Sequence, residues 1–262
     1  LQALAPSPAW VVLASRATLP PWWAALPEAE RPHAVARWAA RVTQRLGPLV
    51  ASWLTWLDLT LTEIPRTWPP RGRALPPRWQ QHQAMVQTLR AGLPGATVGV
   101  GIHAYEPPTR GRAAPSQRPV PSTLAEFFLV WPNPAAVSDL EAMLRAFARW
   151  EVPFWLLDPG PDADLRAAGL AMRVHRAWRV VNHNVGLQGY FAWPWHPAWS
   201  WVPTSEGLYQ DEAAGERPTP AAAWFSSVAR TNAITPDGVA TYAPEAWPVL
   251  YPDAGLDDLR VA

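Results

Sequence analysis

The chain has no cysteine and no lysine. Without cysteine there are no disulfides, no zinc–thiolate sites and no thiol nucleophile, and the compartment is left open. All 22 basic residues are arginine, a mark of genome composition before it is a recognition device, although arginine pairs with carboxylates more rigidly than lysine does. Charge is scarce at 16% of residues, and the net charge of +1 is dispersed along the chain. That excludes the basic stripe with which a nucleic-acid binder neutralises phosphates. No apolar run reaches the roughly 18–20 residues needed to span a bilayer. Residues 186–202 come nearest, but Pro194 and Pro197 interrupt them. The six histidines lie far apart, without the paired helical spacing of a metal site, so no metal and no cofactor are expected. No signal peptide is visible, and the first residue is Leu1, so processing from a longer precursor has to be considered.

What is present is a hydrophobic chain, 49% apolar over 262 residues, long enough for one large domain. Its 18 tryptophans need explaining, because a buried indole seeks a partner for its N–H. Many belong in the core. The cluster Trp193, Trp195, Trp199 and Trp201 reads either as packing or as flat apolar walls on which sugar rings stack. Two strand-like runs, Trp53-Leu54-Thr55-Trp56-Leu57-Asp58 and Pro153-Phe154-Trp155-Leu156-Leu157-Asp158, each end in an aspartate. Carboxylates at the ends of two barrel strands are the minimum equipment for glycosidic-bond hydrolysis. Their bland reading is loop capping or pairing with arginine.

Short apolar runs alternate with helical patterns, as in repeated β-α units. Strands are expected over 10–14, 50–59, 97–104, 126–131, 153–157 and 187–193, and helices over 35–46, 80–91, 136–149, 164–181 and 219–230. The first helix is stopped by Gly47. Loops rich in proline occupy 65–77 and 107–122, and the chain after Asn232 reads as irregular. The fold class is therefore α/β, a (β/α)8-type TIM barrel that is shortened, with about six units visible where a closed barrel has eight. Missing units leave edge strands, which proteins rarely leave uncovered, so a protein partner covering them is expected.

The order of motifs resembles glycoside hydrolase family 1, the β-glucosidase and β-galactosidase family, over roughly residues 8–234, with 235–262 as an extension. The family's third strand is similar to the run from Val11 to Pro20 with Trp22-Trp23 after it. Its acid/base strand is similar to Trp53-Leu54-Thr55-Trp56 followed by Leu57-Asp58-Leu59. Its nucleophile strand is similar to the run from Pro153 to Gly160. The most extended similarity is Gly186-Leu187-Gln188-Gly189-Tyr190-Phe191-Ala192-Trp193, then Trp201, Gly207-Leu208-Tyr209 and the segment from Arg217 to Trp224.

The resemblance implies an acid/base at Asp58 and a nucleophile at Asp158, with sugar contacts from Trp193, Trp201, Trp195 and Arg16. A shifted register would instead use Glu63 and Glu106. The departures are equally specific. Both catalytic glutamates fall on aspartates, the adjacent asparagine on Leu57, the sugar-binding histidine on Arg16, and the glutamate of the final Trp-rich loop on Ser200; the first two strands have no counterpart. In a retaining glycosidase the carboxyls stand roughly 5–5.5 Å apart, and two shorter side chains open that gap toward an inverting geometry. The lost clamp weighs against such a rescue, because hydrogen bonds to the sugar strengthen in the transition state. The expectation is a protein impaired in catalysis that serves as a binding or structural subunit. The alternatives are an active O-glycosidase for β-glucosides or β-galactosides, and a carbohydrate-binding protein without catalysis.

Overall fold

A computed structural model describes residues 9–15, 19, 21–60, 74–104, 124–132, 140–148, 150–158, 167–181, 186–193, 207–212 and 215–253. In chain order the elements are β1 (Ala9–Val12), α1 (Pro21–Ala24), α2 (Arg31–Leu46), β2 (Val50–Leu54), β3 (Leu59–Thr60), α3 (Pro77–Gly92), β4 (Thr97–Ala104), β5 (Phe127–Pro132), α4 (Leu140–Ala148), β6 (Phe154–Asp158), α5 (Ala167–Val181), β7 (Leu187–Ala192), β8 (Tyr209–Glu212), β9 (Gly215–Pro218), α6 (Pro220–Thr231), α7 (Pro236–Tyr242) and α8 (Trp247–Leu250).

The main sheet runs β1-β2-β4-β5-β6-β7, with β3 a second short partner of β4, and the β1–β2, β2–β4, β3–β4, β4–β5 and β5–β6 pairings are parallel. A sheet covered on both faces needs strands that are apolar throughout, and β5, Phe-Phe-Leu-Val-Trp-Pro, is buried at every position. Helices alternate with these strands, so the architecture is α/β and of the shortened (β/α)-barrel type.

Register gives the sheet its two faces. Val12, Leu54, Gly99 and Phe127 form one row across four strands, followed by Gly101, Leu129 and Trp155, then Thr60, His103 and Trp131. The opposite face carries Val100, Phe128 and Phe154 in register. It meets the helices: Phe154 lies against Phe147 of α4, and Phe128 against Trp150.

The expected strand over 50–59 is broken in two. At Gly101 an added Cβ would collide with the Leu57 backbone, so only glycine lets residues 56–58 cross β4 this closely. The break is held by hydrogen bonds from the Gly101 N–H to the Trp56 carbonyl (2.6 Å) and from the Leu57 N–H to the Ala14 carbonyl (3.0 Å).

The chain divides into two compact units. The first comprises residues 1–133, 146–156 and 186–189, and the second residues 134–145, 157–185 and 190–262. In the first, α2 packs along α3. In the second, Leu170 and Val174 of α5 share a core with Trp224 of α6, Val239 of α7 and Trp247 of α8.

The expectation of an irregular tail after residue 234 is corrected here. Residues 236–250 are mostly helical, with Thr235 capping α7 by accepting a hydrogen bond from the Gly238 N–H (3.2 Å). Two prolines, Pro236 and Pro244, suggested irregular chain, yet proline at a first helical position costs no hydrogen bond. The apolar residues Val239, Ala243, Ala246 and Trp247 carry these turns into the core. The β8–β9 hairpin was likewise not expected, being rich in charge. No helix among the described residues is long and apolar enough to cross a membrane.

Candidate functional site

Asp158 ends β6, and the two-residue period of a strand puts it on the side of Phe154 and Leu156, the side that faces helices. Its side chain is 3% exposed. Arg173 of α5, equally buried, donates from Nε to Asp158 Oδ2 at 2.6 Å, and the Tyr190 hydroxyl of β7 donates to the same oxygen. The Trp193 backbone N–H donates to the Asp158 carbonyl at 2.8 Å and fixes the strand end.

The chemistry of the cluster follows from this enclosure. Burial alone would lower the Arg173 pKa, and the Asp158 carboxylate and Tyr190 more than offset it, leaving the guanidinium more firmly protonated than an ordinary arginine. Burial, reinforced by the Asp158 charge, holds the Tyr190 hydroxyl well above the usual tyrosine value. Both partners are thus locked as donors. Asp158 is held through Oδ2 in a charge-neutralised pair.

Asp58 has different surroundings. It is half-buried and stands one residue before β3. Its carbonyl accepts from Arg78 Nη1 at 3.1 Å, and the Arg78 guanidinium sits 5.6 Å from the centre of the Trp56 ring. Thr55, of the Trp-x-Thr motif, shares a 2.5 Å hydrogen bond with His82 Nδ1 of α3. Burial, opposed by the Leu124 backbone and aided by Arg90, lowers the His82 pKa to about 4. A neutral imidazole therefore ties α3 to the strand that leads to Asp58.

Beside Asp58 the C-terminal ends of β3, β4 and β5 present Thr60, His103 and Trp131 in one row. The His103 ring stacks on Trp131 with centroids 4.6 Å apart and planes 17° from parallel. Sequence reading passed over His103 and Trp131 in favour of Glu106. The signal available was position: both stand at the C-terminal ends of barrel strands, where such folds carry their sites.

The two aspartates belong to separate compact units, and each has its own partners. Trp193 is half-buried at the end of β7. Arg16, Glu63, Glu106, Trp195 and Trp201 lie outside the described residues. Among the described residues no three histidine, aspartate or glutamate side chains could together hold a metal ion.

No protein-family model matches the chain, and no curated protein does. Solved structures do match in fold. Fpglu1 from Fervidobacterium is similar over 87% of this chain and 69% of its own, at 13% identity and a TM-score of 0.62. A family 1 β-glucosidase from Thermotoga maritima is similar over 81% and 70%, at 14% identity and a TM-score of 0.60. The β-glycosidase from Thermosphaera aggregans is similar over 82% and 62%, at 15% identity and a TM-score of 0.57. In fold the chain is similar to these glycosidases, in shortened form.

Proposed function

We propose that this protein is a family 1 glycosidase-like chain that has given up hydrolysis and works as a binding or structural subunit. One observation carries the proposal. Asp158, which the resemblance makes the nucleophile, is enclosed by Arg173 and Tyr190 on the helix-facing side of its strand. A carboxylate held through Oδ2 by a buried arginine and a tyrosine, on the helix-facing side of its strand, is placed for packing between elements and not for contact with a ligand. The losses of Asn, His and Glu at the other clamp positions point the same way.

Binding is supported separately by the Thr60–His103–Trp131 row. It brings a half-buried hydroxyl and a half-buried imidazole, the imidazole backed by the buried Trp131 ring, to the strand ends, a combination suited to a β-linked carbohydrate. A protein partner is supported by the end strand of the sheet: the described pairings of β1 are with β2.

Native mass spectrometry of the protein isolated from its source tests the subunit reading. It is expected to travel with a second polypeptide, and a stable monomer would contradict that reading. Tryptophan fluorescence titrated with methyl β-glucoside and methyl β-galactoside tests the sugar. A saturable change abolished by Trp131→Ala supports binding at the row, and a flat titration removes it.

A further inference from the structure

The inner face of the sheet contains three large rings that meet each other. Trp10 of β1 lies 4.9 Å from Phe127 of β5 and 5.0 Å from Trp155 of β6, and Phe127 lies 5.1 Å from Trp155, centroid to centroid. Their planes are tilted by 59–77°, the edge-on arrangement aromatic rings prefer. In strand order Trp10 and Trp155 are four steps apart, β1-β2-β4-β5-β6. At roughly 4.8 Å per step a flat sheet would hold them roughly 19 Å apart. A 5.0 Å contact requires the sheet to curl until its first strand faces its fifth across the inside of the curve.

Two glycines make room for the rings. A Cβ on residue 99 of β4 would stand 2.5 Å from the Phe127 ring, and one on residue 189 of β7 would stand 2.8 Å from the Trp155 ring. Large side chains from three strands are thus matched by the absence of side chains on two others. Such alternation fills the inside of a complete barrel, where alternate strands contribute the side chains of each layer.

We propose that Trp10, Phe127 and Trp155 are the internal closure of the shortened barrel, filling the volume that inward side chains of two further β-α units would occupy. The inference goes beyond the proposed function and holds whatever covers the backbone edge of β1. A partner lying along that edge adds hydrogen bonds there, and supplies no core side chains.

The test uses the full chain, alone in solution, with Trp10→Leu, Trp155→Leu and the double variant unfolded in denaturant. If the rings meet in the free chain, the two substitutions are coupled, and the double variant loses several-fold less of the folding equilibrium constant than the product of the single losses. Losses that simply multiply would overturn the proposal, because they would mean an inside left open for a partner. Should a leucine variant fail to fold, far-ultraviolet circular dichroism of Trp10→Phe and Trp155→Phe replaces it. Removing either indole abolishes the same exciton signal, so the two difference spectra against wild type are expected to match. Unrelated difference spectra would overturn the proposal as well.

Discussion

Asp158 and Arg173 are each almost wholly buried, so their pairing is asymmetric in its consequences. Breaking such a pair from one side leaves an uncompensated charge and costs about 3–5 kcal/mol, whereas replacing both partners with apolar side chains of similar volume is close to neutral. Asp158→Ala is therefore expected to lower the denaturation midpoint sharply, and Asp158→Leu combined with Arg173→Met and Tyr190→Phe, which also removes the hydroxyl that donates to Asp158, to recover most of the loss. Equal damage from the single and the combined changes would contradict the pairing. His82 gives a second prediction. Its pKa is lowered to about 4 from an ordinary 6.5, so the unfolded chain takes up a proton first as pH falls. The stability its neutral form contributes is complete above pH 6.5 and is lost on the way down to pH 4, on the order of 3 kcal/mol. Unfolding measured across that window should show the fall in the wild type and a flatter profile in His82→Gln.

At this scale the sequence held part of the answer. Arginine as a partner for Asp158 was one of the readings open from composition. Arg173 was not singled out, although Leu170, Arg173, Val174 and Ala177 recur at helical spacing and place an arginine on the buried stripe of α5. What the sequence could not give is the direction of the Asp158 side chain. A one-residue change of strand register moves it to the other face. Only the observed neighbours fix which face it is.

The elements were legible where periodicity was strong. The strand expected over 97–104 is observed as Thr97–Ala104, and the helix expected over 35–46 is α2, which passes at Gly47 into a short 3-10 turn and is not stopped by that glycine. The break between β2 and β3 was not legible, because it depends on a tertiary approach of Leu57 to Gly101 and leaves no trace in local propensity. The prediction at this scale is that Gly101→Ala pushes the 56–58 backbone off β4. A cost of about 1–3 kcal/mol, as for other overpacked sites, should appear in thermal unfolding, while the exposed Gly95→Ala stays near wild type. The C-terminal helices were hidden for a different reason: Pro236 and Pro244 sit at first-turn positions, where proline begins a helix as readily as it ends one. Thr235→Ala removes the cap of α7 and should cost about 1 kcal/mol.

For the whole molecule, a similar fold does not bring its activity along. The chain spans between 62% and 70% of the length of the glycosidases it resembles, at 13–15% identity, so fold is what the likeness shares. Curling of the sheet, with Trp10 against Trp155, explains how fewer strands still enclose an apolar inside. Under the proposed function Asp158, held through Oδ2 by Arg173 and Tyr190, does not serve as a nucleophile. The most direct measurement is hydrolysis of nitrophenyl β-glucoside and β-galactoside by the purified chain, beside an Asp58→Asn variant whose circular dichroism matches wild type. The account predicts no release of nitrophenol from either protein above the buffer rate. Release by the wild type that disappears in Asp58→Asn would contradict it and restore the chain to the working glycosidases.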